Sequence, residues 1–171
     1  WVQVKNEFWY KLYLFLFVST TNYNIINSSN NFGPYQNKEK FIPVIINSLI
    51  NKKKIPLYGN GKNIREWIYV EDFVNAIEFL IKKDIPNQTF LIGSGYAEEN
   101  IKIIKKIIKI MKNQFKIKIK NNQIKYVRDR AGHDKVYKIN SSKIRKLGWN
   151  NKIKLNHGLS KTIEYYINKF K

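Results

Sequence analysis

Two adjacent amides, Asn30 and Asn31, stand in the stretch SSNNFGPYQ, after a strand-like segment and just before a rigid Gly33-Pro34 turn. An amide carries both donors and an acceptor, so neighbouring asparagines beyond a strand end can hold two ligands at one crevice. In an Asn-rich chain they are equally the residues of an ordinary turn. Arginine is scarce: four of the 32 basic residues, at positions 65, 128, 130 and 145. A guanidinium fork matches paired phosphate oxygens in geometry as well as charge, so these four are the informative cations. The one candidate carboxylate pair, Glu71 and Asp72, falls in the first turn of a predicted helix, where acids complement the helix dipole, and that reading is preferred. There is no cysteine and only His133 and His157, which excludes disulfides, thiolate chemistry and any multi-histidine metal site built from this chain alone.

Three patterns imitate nucleotide-binding motifs. Gly93 and Gly95 follow a strand and precede a helix, but the third glycine of a dinucleotide fingerprint would be Glu98, whose carboxylate repels a pyrophosphate. Gly61-Lys62 resembles the end of a phosphate loop, yet Pro56 replaces its leading glycine and Asn63 its magnesium-binding hydroxyl. Tyr58 with Lys62, and Tyr165 with Lys169, have the Tyr-Lys spacing of short-chain dehydrogenases, but neither pair sits on a helix that follows a sheet strand.

The elements that must position these residues follow from apolar spacing. Tyr23 to Ser29 is predicted as a strand ended by the asparagines, Lys40 to Leu49 as a helix, and Pro56 to Tyr58 as a short segment after a turn. Arg65 to Val70 reads as extended, Glu71 to Lys83 as a helix, and Gln88 to Gly93 as a strand. Ile101, Ile104, Ile108 and Met111 define one stripe of a basic amphipathic helix. Between Phe115 and Val127 alternating Ile and Lys fit either a hairpin or a helix end followed by one strand; Ser141 to Leu147 and Leu159 to Phe170 close the chain as helices. Strands interspersed with helices give an α/β class. The apolar run Leu12 to Val18 is too short for a bilayer span and lacks a signal-peptide cleavage site, so it is expected to be buried or to face another subunit.

A net charge of +20 would ordinarily suggest nucleic acid or an anionic surface. Here Lys, Asn and Ile, all with AT-rich codons, supply 77 of 171 residues, and the lysines are spread along the whole chain. Codon bias and solubility account for the charge better than a nucleic-acid footprint does.

Three stretches, SSNNFGPYQNKEKFIP, IPLYGNGKNIREWIYVEDF and DRAGHDKVYKINSSKIRKLGW, taken in this order, resemble the C-terminal half of dTDP-glucose 4,6-dehydratases, of the extended short-chain dehydrogenase/reductase superfamily. The resemblance runs from about Asn22 to the end and treats residues 1–171 as one C-terminal half, without the dinucleotide-binding portion. It implies the C-terminal part of an NAD-binding, Rossmann-like fold with a small α/β substrate-binding domain. By the same resemblance, Asn30 meets the nucleotide sugar and Asn31 the NAD. Lys40 and Phe41 are carried to the substrate, Pro56, Leu57 and Tyr58 to the base, and Arg65 to the pyrophosphate. Asn100 with Asp129, Arg130, Ala131, Gly132 and His133 completes the clamp, Ala131 standing where the family has proline.

By the family's spacing, Trp1 falls where the catalytic tyrosine belongs and Lys5 on its partner lysine, a residue that would also touch NAD. Indole cannot serve as the base that a tyrosine hydroxyl becomes beside lysine. Residues 2–4 and 6–21 match poorly, pointing to an altered reading frame or an assembly artefact, and the chain alone is expected to bind nucleotide sugar without catalysing. The resemblance further implies a cytoplasmic hydro-lyase, homodimeric at full length, with a dTDP-sugar as substrate and neither nucleic acid nor membrane as partner. A related epimerase or decarboxylase, and a basic nucleic-acid-binding module, are the alternatives.

Overall fold

A computed structural model of the protein describes residues 23–129 and 131–170. Trp1, Lys5, the run Leu12 to Val18 and Arg130 lie outside the described residues.

The expected α/β class is what forms. Strands β1 (Asn24–Ser28) and β2 (Asn30–Phe32) lead to helix α1 (Phe41–Ile50), then β3 (Ile55–Tyr58) and β4 (Ile64–Tyr69). Helix α2 (Val70–Lys83), β5 (Gln88–Ile92), β6 (Ala97–Glu99) and α3 (Asn100–Asn113) follow. The chain closes with β7 (Ile124–Val127), β8 (Val136–Tyr137), α4 (Ser142–Lys146) and α5 (Leu155–Phe170). Four pairings are parallel and link distant segments: β1 with β5, β2 with β4, β3 with β7, and β4 with β8. β4 also pairs with β6 antiparallel and with β8 parallel, which makes it the hub of the largest sheet.

Two cores form, and β4 contributes to both because successive strand side chains alternate. Trp67 and Tyr69 join Phe32 and the apolar faces of α1, α3 and α5 in the larger core, whereas Ile68 joins Ala76, Leu80, Phe90, Ile92, Ile144 and Trp149. Gly158 lets α5 close on this strand: a Cβ there would fall 2.8 Å from the Tyr69 ring and 3.0 Å from that of Phe32.

Several expectations need adjusting. The asparagines do not end a strand; they form one, β2, after a break at Ser29. In α3 the buried stripe is Ile103, Ile104, Ile107, Ile110 and Met111, while Ile101 and Ile108 are only partly covered, because the helix packs two neighbours and its apolar face is wider than one row. Residues 115–127 resolve as a helix end followed by one strand, since β7 pairs with β3 rather than folding back on its own flank. The last helix begins four residues earlier than expected, at Leu155.

Candidate functional site

Asn30 lies opposite Trp67, Asn31 opposite Ile68 and Phe32 opposite Tyr69. Directly paired residues share a sheet face, so Asn30 is on the face that carries Arg65 and Trp67, and Asn31 is on the other. The adjacent amides therefore serve opposite sides of one wall rather than a single crevice. On its side, Asn31 Nδ2 donates to Ser28 Oγ at 2.7 Å, and Asn31 Oδ1 is buried without a hydrogen-bond partner.

Gln36, absent from the sequence-predicted set, braces the Asn31 backbone. Its Nε2 donates to the Asn31 carbonyl at 2.7 Å, an acceptor that fixes the orientation of the Gln36 amide and leaves its Oε1 buried and unpartnered. The buried Tyr166 hydroxyl on α5 donates in turn to the Gln36 carbonyl. Tyr35, between Pro34 and Gln36, has φ 63, a strained value for a tyrosine that turns the chain back toward β2.

On the Asn30 side, Phe41 opens α1 and stacks on Trp67 with ring centroids 5.8 Å apart, while Lys40 precedes it on the surface. Arg65 is half-buried and anchors one guanidinium nitrogen on the Ile64 carbonyl at 2.8 Å. Pro56 and Tyr58 point outward from β3, but the Leu57 side chain is 1% exposed and belongs to the core, so it cannot contact a ligand from outside. Tyr58 meets the His133 ring edge-on at 6.5 Å.

Asn63 connects these pieces, and sequence reasoning missed that role. Its Nδ2 donates to the Asp134 carbonyl at 3.1 Å, and its own carbonyl accepts the Asn100 backbone N–H at 3.0 Å. His133 Nδ1 lies 2.6 Å from Asp129 Oδ1, and Asp129 packs on Gly59, where a Cβ would fall 2.8 Å from the carboxylate. The turn after β3, the start of α3 and the segment that carries His133 and Asp134 are thus tied together at Asn63, one residue before β4 and two before Arg65. Asn100 Oδ1 is buried and unpartnered here. Ala131 and Gly132 lie exposed in the same loop.

Of the imitative motifs, the Gly93 to Gly95 turn has a structural role. Glu66 is buried beneath the Gly93 to Gly95 turn, accepting the Gly95 N–H at 2.8 Å and the Ile139 N–H at 3.0 Å; a Cβ at Gly93 would fall 2.1 Å from its oxygen. Asp72 does more than face the helix dipole: buried, it accepts the N–H groups of Lys152 and Ile153, both at 2.9 Å. Arg145 is likewise internal, holding the Gly93 and Ser94 carbonyls at 3.2 and 2.9 Å. Among the described residues, no group of three or more His, Cys, Asp or Glu could hold a metal ion, and no helix is long and apolar enough to cross a membrane.

Comparison with known proteins matches the same span. A family profile described as GDP-mannose 4,6 dehydratase matches residues 16–162. A dTDP-glucose 4,6-dehydratase of Escherichia coli is 42% identical over 150 residues, which are 84% of this chain and 41% of that protein. The crystal structure of dTDP-glucose 4,6-dehydratase from Bacillus anthracis in complex with NAD superposes with a TM-score of 0.76 at 33% identity, over 85% of this chain and 44% of that one. The Streptomyces venezuelae dTDP-glucose 4,6-dehydratase, also solved with NAD bound, gives 0.81 at 28% identity, over 91% and 47%. The chain spans less than half the length of each of these relatives.

Proposed function

The chain belongs to the GDP-mannose 4,6 dehydratase family, and from that premise we propose that it supplies the nucleotide-sugar-binding half of an NAD-dependent dTDP-glucose 4,6-dehydratase. The observation that carries this reading is the Asn63 junction, which links the Asn100 backbone to the loop holding Asp129 and His133, beside Arg65. Asn100, His133 and Asp129, from separated parts of the sequence, are linked through that junction two residues before Arg65.

In this reading Tyr58 offers its exposed face to the base. Arg65, with its outer nitrogen already tethered to Ile64, presents a preoriented fork to the pyrophosphate. Asn100 adds its unpartnered amide oxygen, which suits a sugar hydroxyl, and Asn30 and Phe41 line the hexose side. On the opposite face of β2, Asn31 Oδ1 and Gln36 Oε1 are buried acceptors without partners, and they complement a ligand rich in hydrogen-bond donors, as the carboxamide and ribose of NAD are. When bound, NAD supplies the acceptor and later the donor of the hydride that makes the dehydration redox-neutral. The role of these residues is to bind and orient the sugar and the cofactor. The same reading takes the whole protein as a cytoplasmic homodimer, supported by the lack of cysteine and by the apolar run Leu12 to Val18.

Calorimetric titration with thymidine diphosphate tests the proposal. Binding is expected, and Arg65→Ala should weaken it by about 1 to 3 kcal/mol, the range of a charged hydrogen bond. Unchanged affinity in that variant removes Arg65 from the site; no binding by the parent chain removes the proposal.

A further inference from the structure

A cavity of about 390 Å³ opens beside β4, within the range of small-molecule sites, and none of the residues assigned above to nucleotide sugar or NAD lines it. Its walls are the rings of Phe32, Trp67, Tyr69 and Tyr96. Its free polar groups lean one way. Lys106 and Lys154 bring two cations to the rim, and among the described residues no carboxylate lines the cavity. The Trp67 Nε1 donor is 95% enclosed with its residue and has no partner. Asn151 already accepts from Arg145 at 3.1 Å through its Oδ1, which leaves its Nδ2 as a further donor.

Asn156 adds an amide with both a donor and an acceptor, while the Ser94 hydroxyl is occupied. Ser94 Oγ donates to the Trp67 carbonyl at 2.6 Å and accepts the Tyr96 N–H at 2.9 Å, so it closes the floor. Both phenols turn their protons away: Tyr69 to Glu71 at 3.3 Å and Tyr96 to Glu98 at 2.7 Å. Burial, reinforced by those carboxylates, pushes each phenol up to about 12, so both rings stay neutral. Glu98 also stands 3.9 Å from Lys106 Nζ, a separation at which the ammonium keeps donors for a second anion.

We propose that this cavity is a second binding site, for a small organic anion with a planar apolar body, its ring held between the aromatic walls, Trp67 among them, and its carboxylate met by Lys106 and Lys154. Rings supply area with little ordering cost, and the cations supply the sign.

The test uses 2-naphthoate and its neutral analogue 2-naphthylmethanol, read on the Trp67 indole N–H resonance of the intact chain, identified as the signal lost in Trp67→Phe. The naphthoate should shift that resonance and the alcohol should bind at least about tenfold more weakly, the loss of one charged contact. Lys106→Gln with Lys154→Gln, both at the rim and not in the core, should lower naphthoate affinity by a similar factor while leaving the spectrum of the free protein folded. Equal affinity for acid and alcohol, an unmoved indole signal, or indifference to the lysine pair would overturn the proposal. Displacement of naphthoate by thymidine diphosphate would overturn it as a separate site, and would leave the nucleotide reading of the Arg65 cleft standing.

Discussion

Tyr69 and Tyr96 each bury a phenol that donates to a glutamate, and ionising either would set two negative charges side by side. Their folded-state values near 12 exceed the ordinary value of 10.0, so these groups hold their protons more tightly folded than unfolded. The stability they contribute is complete below about pH 10 and disappears as pH rises through 12. Stability measured by urea unfolding should accordingly decline in that alkaline window, and Tyr96→Phe should flatten the decline. Phenolate absorbance should show these tyrosines, with Tyr166 raised by burial, ionising after the exposed ones. At this scale the sequence disclosed the rare and the paired: Arg65, the two asparagines, the His133 loop. It concealed Asn63 and Gln36, because an amide becomes a junction only through carbonyls that folding delivers from elsewhere, and no spacing among so many asparagines marks it out.

Helix α2 is pinned by its own second acid. Asp72 takes two backbone N–H groups from the segment leading into α5, joining elements some 80 residues apart. Asp72→Ala would leave both donors buried, and a loss of about 3 kcal/mol in urea unfolding is expected, the upper range for hydrogen bonds to a charged group. Gly158→Ala tests the contact between α5 and β4: overpacking the Phe32 and Tyr69 rings should cost about 1 to 3 kcal/mol and lower the melting temperature. Most elements were legible from their apolar pattern: α1 and α2 each bury one helical face, and β4 is an apolar run buried on both of its faces. The segment before α5 was not. Its Asn, Lys and Ile residues carry no helical period, and Leu155 to Gly158 become helical because the Gly158 backbone docks on a strand, which is a tertiary effect.

Across the whole chain, +20 charges repel one another within a fold of modest size. Raising sodium chloride from about 0.05 M to about 0.5 M shortens the Debye length severalfold and should raise the urea midpoint. If the charge is only a compositional habit, duplex DNA should bind weakly; micromolar or tighter binding that falls steeply with salt would speak for a nucleic-acid partner instead. Composition bounded the class of molecule, whereas the parallel pairings that make β4 the hub join strands with no local relation and could not be read from any window. That hub carries a further implication for how the gene can change. Because the side of the partition that each amide occupies is decided by odd or even position, one extra codon between Ser29 and Asn30 would make the neighbours trade places, presenting Asn30 where Asn31 now stands. A region that looks like a tolerant surface turn is therefore closed to single-residue insertions, though pairs of residues would restore the parity.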